Sequence, residues 1–154
     1  MIATVFYDLY FLLHLRIYMD LIKGEILIQE DYLDNHWKMV VCCILLNQTN
    51  NKQIRPILEN VFNLIPDPKK ASLINPDDLA LMIKSTGFQN MKAKRIIALS
   101  KKWIEGFDSV TELPGIGVYG KESWDIFVLK DFSIKPTDKK LAKFLEDGSY
   151  KRII

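Results

Sequence analysis

Leu113-Pro114-Gly115-Ile116-Gly117 dictates its local chain path more strongly than any other stretch of this sequence. Proline presets φ and lacks an amide donor, while two glycines admit backbone conformations closed to other residues. Leu113 and Ile116 supply apolar anchors for such a turn, and Val118-Tyr119-Gly120 leads into a segment of helical character. The stretch reads as a glycine hairpin opening a helix, expected over about 120–129.

The flanking sequence supplies helices for the hairpin to join. Ile54, Ile57, Leu58, Val61 and Phe62 fall on one helical face, which predicts a helix over 51–64 that Pro66-Asp67-Pro68 stops. Asn75-Pro76-Asp77-Asp78 is a start signal: a capping residue, a first-turn proline, then acids at the positive dipole end. That helix is expected to end near Ser85-Thr86-Gly87. The next begins near Asn90, carries Ala93, Ile96, Ile97, Ser100 and Ile104 on one face, and closes at Gly106. Residues 36–46 are continuously apolar after Lys38, as in a central buried helix. A last helix is expected over 136–145, and residues 26–32 form a short connector or helical turn. No segment alternates strongly enough for a sheet. The fold class is all-α with short loops. At 154 residues and 49% hydrophobic, the chain suits one compact domain with a sizeable core.

Residues 1–22 are apolar and aromatic, but Asp8, His14, Arg16 and Asp20 interrupt them. That excludes a membrane span, and neither a basic start nor a small-residue cleavage site marks a secretory signal. A helix packed on the domain is the first reading and a partner-docking surface the second. Adjacent Cys42 and Cys43 cannot pair with each other and match no metal spacing. They read as buried thiols, which suits a reducing compartment. His14 and His36 show no metal spacing either, and Trp37, Trp103 and Trp124 read as core.

Several residues admit two readings. The hairpin is either an ordinary tight connection or a phosphate grip, in which backbone and helix N-terminal amides face an anion. Net charge of only +2 does not argue for a polyanion partner, so any basic surface is local. Lys92, Lys94 and Arg95 are either a solvated face or a phosphate-facing strip. Asp138, after Pro136-Thr137 and beside Lys139 and Lys140, either caps a helix or is a catalytic carboxylate that the cap orients. Asn47-Gln48-Thr49-Asn50-Asn51 is either a helix end plus the next cap or a polar loop at a DNA surface. Gln48 is long enough to fill the gap left by an extruded base.

Over roughly residues 29–144 these pieces, in this order, resemble the helix-hairpin-helix DNA glycosylases of the endonuclease III superfamily. The resemblance is nearest to the thymine/uracil mismatch glycosylase domain that in animals is joined to a methyl-CpG-binding domain. It rests on Trp37-Lys38, Leu46-Asn47-x-Thr49, Gly87 followed by Lys92-Ala93-Lys94, Glu112-Leu113-x-Gly115-Ile116-Gly117-x-Tyr119-Gly120, and Pro136-x-Asp138-x-Lys140-Leu141. It implies a two-lobed all-α fold: lobe one is about 1–35 plus 129–154, and lobe two about 36–128.

By position, the resemblance makes Asp138 the catalytic carboxylate and puts Gln29, Tyr119 and Lys140 in the pyrimidine pocket. Gln48 and Phe88 occupy the vacated stack and contact the opposite base. Leu113, Gly115, Ile116 and Gly117, with Lys92 and Lys94, serve DNA binding. Tyr119 stands where bifunctional relatives carry a Schiff-base lysine, so base excision without strand cleavage is implied. Gln48 departs from the arginine common in the animal mismatch enzymes. The iron–sulfur cysteines of many relatives are missing after Leu145. No cluster is therefore expected, while a monovalent cation at the hairpin is allowed. The implied partner is duplex DNA with a mismatched or damaged base, bound by a monomer in the nucleus and away from membranes. The alternatives are a non-catalytic DNA-binding module and an adenine or oxidised-base glycosylase of the same superfamily.

Overall fold

The computed structural model describes residues 8–15 and 26–154, and among them there are helices and turns but no strand. In chain order the helices are α1 (8–15), α2 (His36–Leu46), α3 (Asn51–Leu64), α4 (Pro68–Leu73), α5 (Pro76–Met82), α6 (Gln89–Glu105), α7 (Val118–Phe127) and α8 (Lys139–Glu146). Single 3-10 turns cover Ile28–Tyr32, Lys84–Thr86, Val110–Glu112 and Ser149–Ile153. None of the helices is long and apolar enough to cross a membrane among the described residues.

Helix α2 is the hub. Trp37 and every residue from Met39 to Leu45 are buried, and α2 packs against α3, α6, α7 and the Ile28–Tyr32 turn. Burying side chains of this size contributes roughly 1.5–3 kcal/mol each. The Trp37 indole N–H donates to Ser100 Oγ at 3.1 Å, which satisfies the one polar atom on that ring and pins α2 to α6. Trp103 and Trp124 are only half-buried. They join Phe107 and His36 in an edge-to-face aromatic cluster against the core.

Caps set the boundaries. Asn50, Asn75 and Asp138 each accept from a first-turn amide of the helix that follows, and Gly106 ends α6 at φ +94. The pattern anticipates α3 to the residue. It misses α4: Asp67-Pro68 is not only a stop, because Asp67 Oδ1 accepts the Lys70 amide and Pro68 opens a new helix. The Asn75-Pro76 pair carries the same signal. Helix α7 starts before the expected residue 120, because Gly117 and not Gly120 is its cap.

The reading of residues 1–22 as a helix packed on the domain is not what the described part shows. Residues 8–15 are helical, yet Leu9, Tyr10, Phe11, Leu12, Leu13 and Leu15 are exposed. Residues 1–7 and 16–25 lie outside the described structure.

Candidate functional site

Three turns converge on one cleft of about 880 Å³. The first is the α2–α3 loop, with Asn47, Gln48, Thr49 and Asn50. The second is the hairpin from Gly115 to Gly120. The third is Thr137-Asp138-Lys139-Lys140, where α8 begins.

The hairpin is held from beneath. Leu113 is buried at 2% exposure, so its side chain anchors the turn while the neighbouring backbone faces the cleft. Its carbonyl accepts the Ile116 amide at 3.2 Å. Gly115 sits at φ +82, and a Cβ there would lie 3.0 Å from Arg95 Cβ and 3.2 Å from Ile44 Cδ1. Only glycine fits. Gly117 differs: its φ is −99 and nothing lies within 4 Å of a built Cβ. No side chain caps α7 there. The first-turn amides of α7 have no i−4 partner and the positive dipole end is bare, an arrangement that suits an anion.

Asp138 caps α8 through one oxygen. Oδ1 accepts the amides of Lys140 at 2.9 Å and Leu141 at 3.0 Å. Among the described residues no hydrogen bond holds Oδ2, and the half-buried carboxylate lines the cleft. The cap fixes the rotamer and leaves one oxygen for chemistry. The preceding residue is fixed too: Glu122 Oε1 accepts both the Thr137 amide at 2.8 Å and its hydroxyl at 3.0 Å.

Tyr119 forms part of the wall and its hydroxyl accepts from Gln29 Nε2 at 2.7 Å. Burial, foremost, pushes this phenol well above its ordinary pKa, so it is neutral at any working pH. Gln29 is 1% exposed and stands behind Tyr119, outside the cleft lining. Its amide nitrogen also donates to Ser123 Oγ at 3.0 Å, while Oε1 is buried with no partner in the described structure.

Lys140 is exposed and lines the cleft; Gln48 lines it at φ +56. Phe88 lies outside the lining but is 57% exposed and also left-handed, at φ +49, as it caps α6. Lys94 borders a shallower depression with Asn90, Met91, Arg95 and Pro114. Lys92 has to be corrected. It is fully buried, with Nζ donating to Leu45 O and Thr86 O at 2.8 Å each, and it is no part of a surface strip. Lys92 is close to Lys94 and Arg95 in the sequence, but α6 turns its side chain to the buried face.

Cys42 and Cys43 are free and buried. Among the described residues no group of three or more His, Cys, Asp or Glu side chains could hold a metal ion. The sequence offered no clue to Glu122 or Ser123, whose partners are far along the chain. The sequence leaves Arg95 open between a solvated face and a phosphate strip and gives no sign of its packing against Gly115.

Residues 41–154 match the model of the HhH-GPD superfamily of base excision DNA repair proteins. The chain is 33% identical over 117 residues to a methyl-CpG-binding domain protein 4-like protein of Arabidopsis thaliana, covering 75% of this chain and 26% of that protein. It is 26% identical to a thymine-DNA glycosylase of Aeropyrum pernix, over 54% of this chain and 41% of the relative. It is also 26% identical to an endonuclease III of Thermotoga maritima, over 53% and 42%. The chain thus spans less than half the length of these relatives. With the family model covering most of its residues, the chain belongs to the HhH-GPD superfamily.

Proposed function

We propose that this chain is a monofunctional DNA N-glycosylase that removes thymine or uracil mispaired with guanine and leaves the strand uncut. One observation carries the reading. The capped Asp138, with Oδ2 uncommitted, shares a cleft with the bare N-terminus of α7. A phosphate grip and a carboxylate side by side suit chemistry on a sugar held by its backbone. Phosphate contacts of this kind position the protein and read no sequence.

The target base swings out of the duplex, at a cost of a few kcal/mol that is smallest at a mismatch. As the glycosidic bond stretches, the base takes its electron pair and the sugar becomes oxocarbenium-like. Ionised Asp138 stabilises that cation and orients or deprotonates the attacking water through Oδ2. Tyr119 supplies the pocket wall. Gln29, behind it, retains an unpaired acceptor suited to a pyrimidine N–H. Lys140 faces the cleft as a contact for the pocket or a phosphate. Tyr119 is not an amine, which supports hydrolysis over imine formation. Repair of DNA places the protein wherever its DNA resides, the nucleus in a eukaryotic cell.

The test is incubation with duplexes carrying G·T, G·U and oxidised-base pairs, followed by alkali. Alkali-labile sites at G·T and G·U, lost in Asp138→Asn, support the reading. Excision by Asp138→Asn at the wild-type rate overturns the role of Asp138. Borohydride trapping of the protein on DNA overturns the monofunctional assignment, since Lys139 and Lys140 also line the cleft. Duplex binding without excision of any base favours the non-catalytic module.

A further inference from the structure

Lys92 is among the largest fully buried side chains of the described residues. Among those residues no carboxylate pairs with it, and burial pushes its amine down to about 8. An unpaired buried lysine is an expensive way to fill a core that a methionine would fill as well. Its hydrogen bonds show what it does instead. One carbonyl it grips, Leu45 O, belongs to the last turn of α2, which runs straight into Gln48. The other, Thr86 O, belongs to the 3-10 turn that runs into Gly87-Phe88. The Lys92 backbone amide also donates to Phe88 O at 2.9 Å.

Both turns carry strain. Gln48 and Phe88 have positive φ without being glycine, and Lys130 is the one other such residue described. Conformations of this kind cost about 1–3 kcal/mol each and persist where surrounding structure over-determines them. Both strained side chains are exposed. One buried ammonium therefore straps together the two turns that present them.

We propose that Lys92 is a positioning residue that locks the Gln48 and Phe88 turns to each other, so that the two side chains enter the DNA stack as one unit. This rests on the glycosylase reading, in which Gln48 and Phe88 fill the gap left by the extruded base and meet its former partner. The unit sets how strongly the protein prefers a gap opposite guanine over continuous duplex.

The experiment measures affinity for a duplex bearing a tetrahydrofuran abasic analogue opposite guanine, against the same duplex undamaged. Wild type, Lys92→Met and Lys92→Gln are compared, each shown folded by circular dichroism at the assay temperature. Lys92→Met is expected to cut the abasic-to-undamaged preference about tenfold or more, with undamaged affinity unchanged and partial recovery in Lys92→Gln. A folded Lys92→Met that keeps the wild-type preference overturns the proposal. So does an equal fall in both affinities, which marks a merely structural role. If the Lys92 variants do not fold, Gln48→Ala, Phe88→Ala and their combination read the coupling in the Lys92 protein. Losses that add without interaction overturn it. A wild type with no preference for the abasic duplex overturns the gap-filling reading itself, and excision of G·U separates that result from failure of the glycosylase assignment.

Discussion

Glu122 Oε1 accepts two hydrogen bonds from Thr137, one from its amide at 2.8 Å and one from its hydroxyl at 3.0 Å. The bond joins the helix that the hairpin opens to the turn that presents Asp138. Its other oxygen, Oε2, is buried without a partner in the described structure. Glu122→Ala frees the turn, and a displacement near 1 Å at a reacting group costs about 100-fold in rate. A fall of that size in single-turnover excision is expected, with duplex affinity little changed. Glu122→Gln keeps an acceptor and restores most of the rate. An alanine variant with the wild-type rate removes Glu122 from the mechanism.

Gly115 and Gly117 separate folding from binding. Gly115→Ala meets both a left-handed φ and a crowded site, so a loss of about 1–3 kcal/mol in urea denaturation is expected. Gly117→Ala meets neither. Its stability changes by less than about 0.5 kcal/mol, but the new methyl stands where a phosphate approaches the α7 amides. Loss of one charge-assisted bond weakens duplex affinity about tenfold or more. Equal stability effects from the two substitutions contradict this account.

What the sequence disclosed depended on how local the cause was. The caps at Asn50, Asn75 and Asp138 act within their own turns, so residue type and spacing revealed them. The periodicity of α3 and the breaker Gly106 are equally local. The hairpin and Asp138 were legible as parts, and the family pattern joined them before any geometry did. Lys92 was misplaced because helix spacing lists neighbours without saying which face turns inward. Its burial depends on Leu45 and Thr86, carbonyls with no sequence signature. Glu122 has no local signal because its partner lies 15 residues away on another element. The resemblance assigns Gln29 to the pocket, and its place behind Tyr119, hydrogen-bonded to that hydroxyl, has no sequence signal.

The two thiols give a prediction about pH. Burial, foremost, raises Cys42 well above its ordinary range, and burial pushes Cys43 up to about 12. Thiolate is the reactive form, so the native protein resists iodoacetamide at pH 8 while the urea-unfolded chain is alkylated at both sites. The linkage has a definite sign. Above pH 9 the unfolded thiols lose protons that the folded ones keep, so stability falls as pH rises from 9 towards 12. Lys92, whose amine burial lowers to about 8, opposes this between pH 8 and pH 10, so the thiol contribution is read by comparison: over that range the urea midpoint of the wild type falls relative to that of a Cys42→Ala, Cys43→Ala variant. Fast native-state alkylation contradicts the buried placement.

Gln29 Nε2 has two acceptors, Tyr119 Oη at 2.7 Å and Ser123 Oγ at 3.0 Å, both on α7. Either one alone keeps the buried amide partnered. Tyr119→Phe and Ser123→Ala should each cost about 1 kcal/mol of stability, the ordinary net worth of one hydrogen bond. Removing both strands an NH2 group at 1% exposure, and an unsatisfied buried donor costs about 1–3 kcal/mol beyond the bonds themselves. The double variant is therefore expected to lose more than the sum of the singles, by an interaction that a double-mutant cycle in urea can resolve. Additive losses would show that water enters behind Tyr119 when the acceptors go. A supra-additive loss fixes Gln29 as the dry support of that wall.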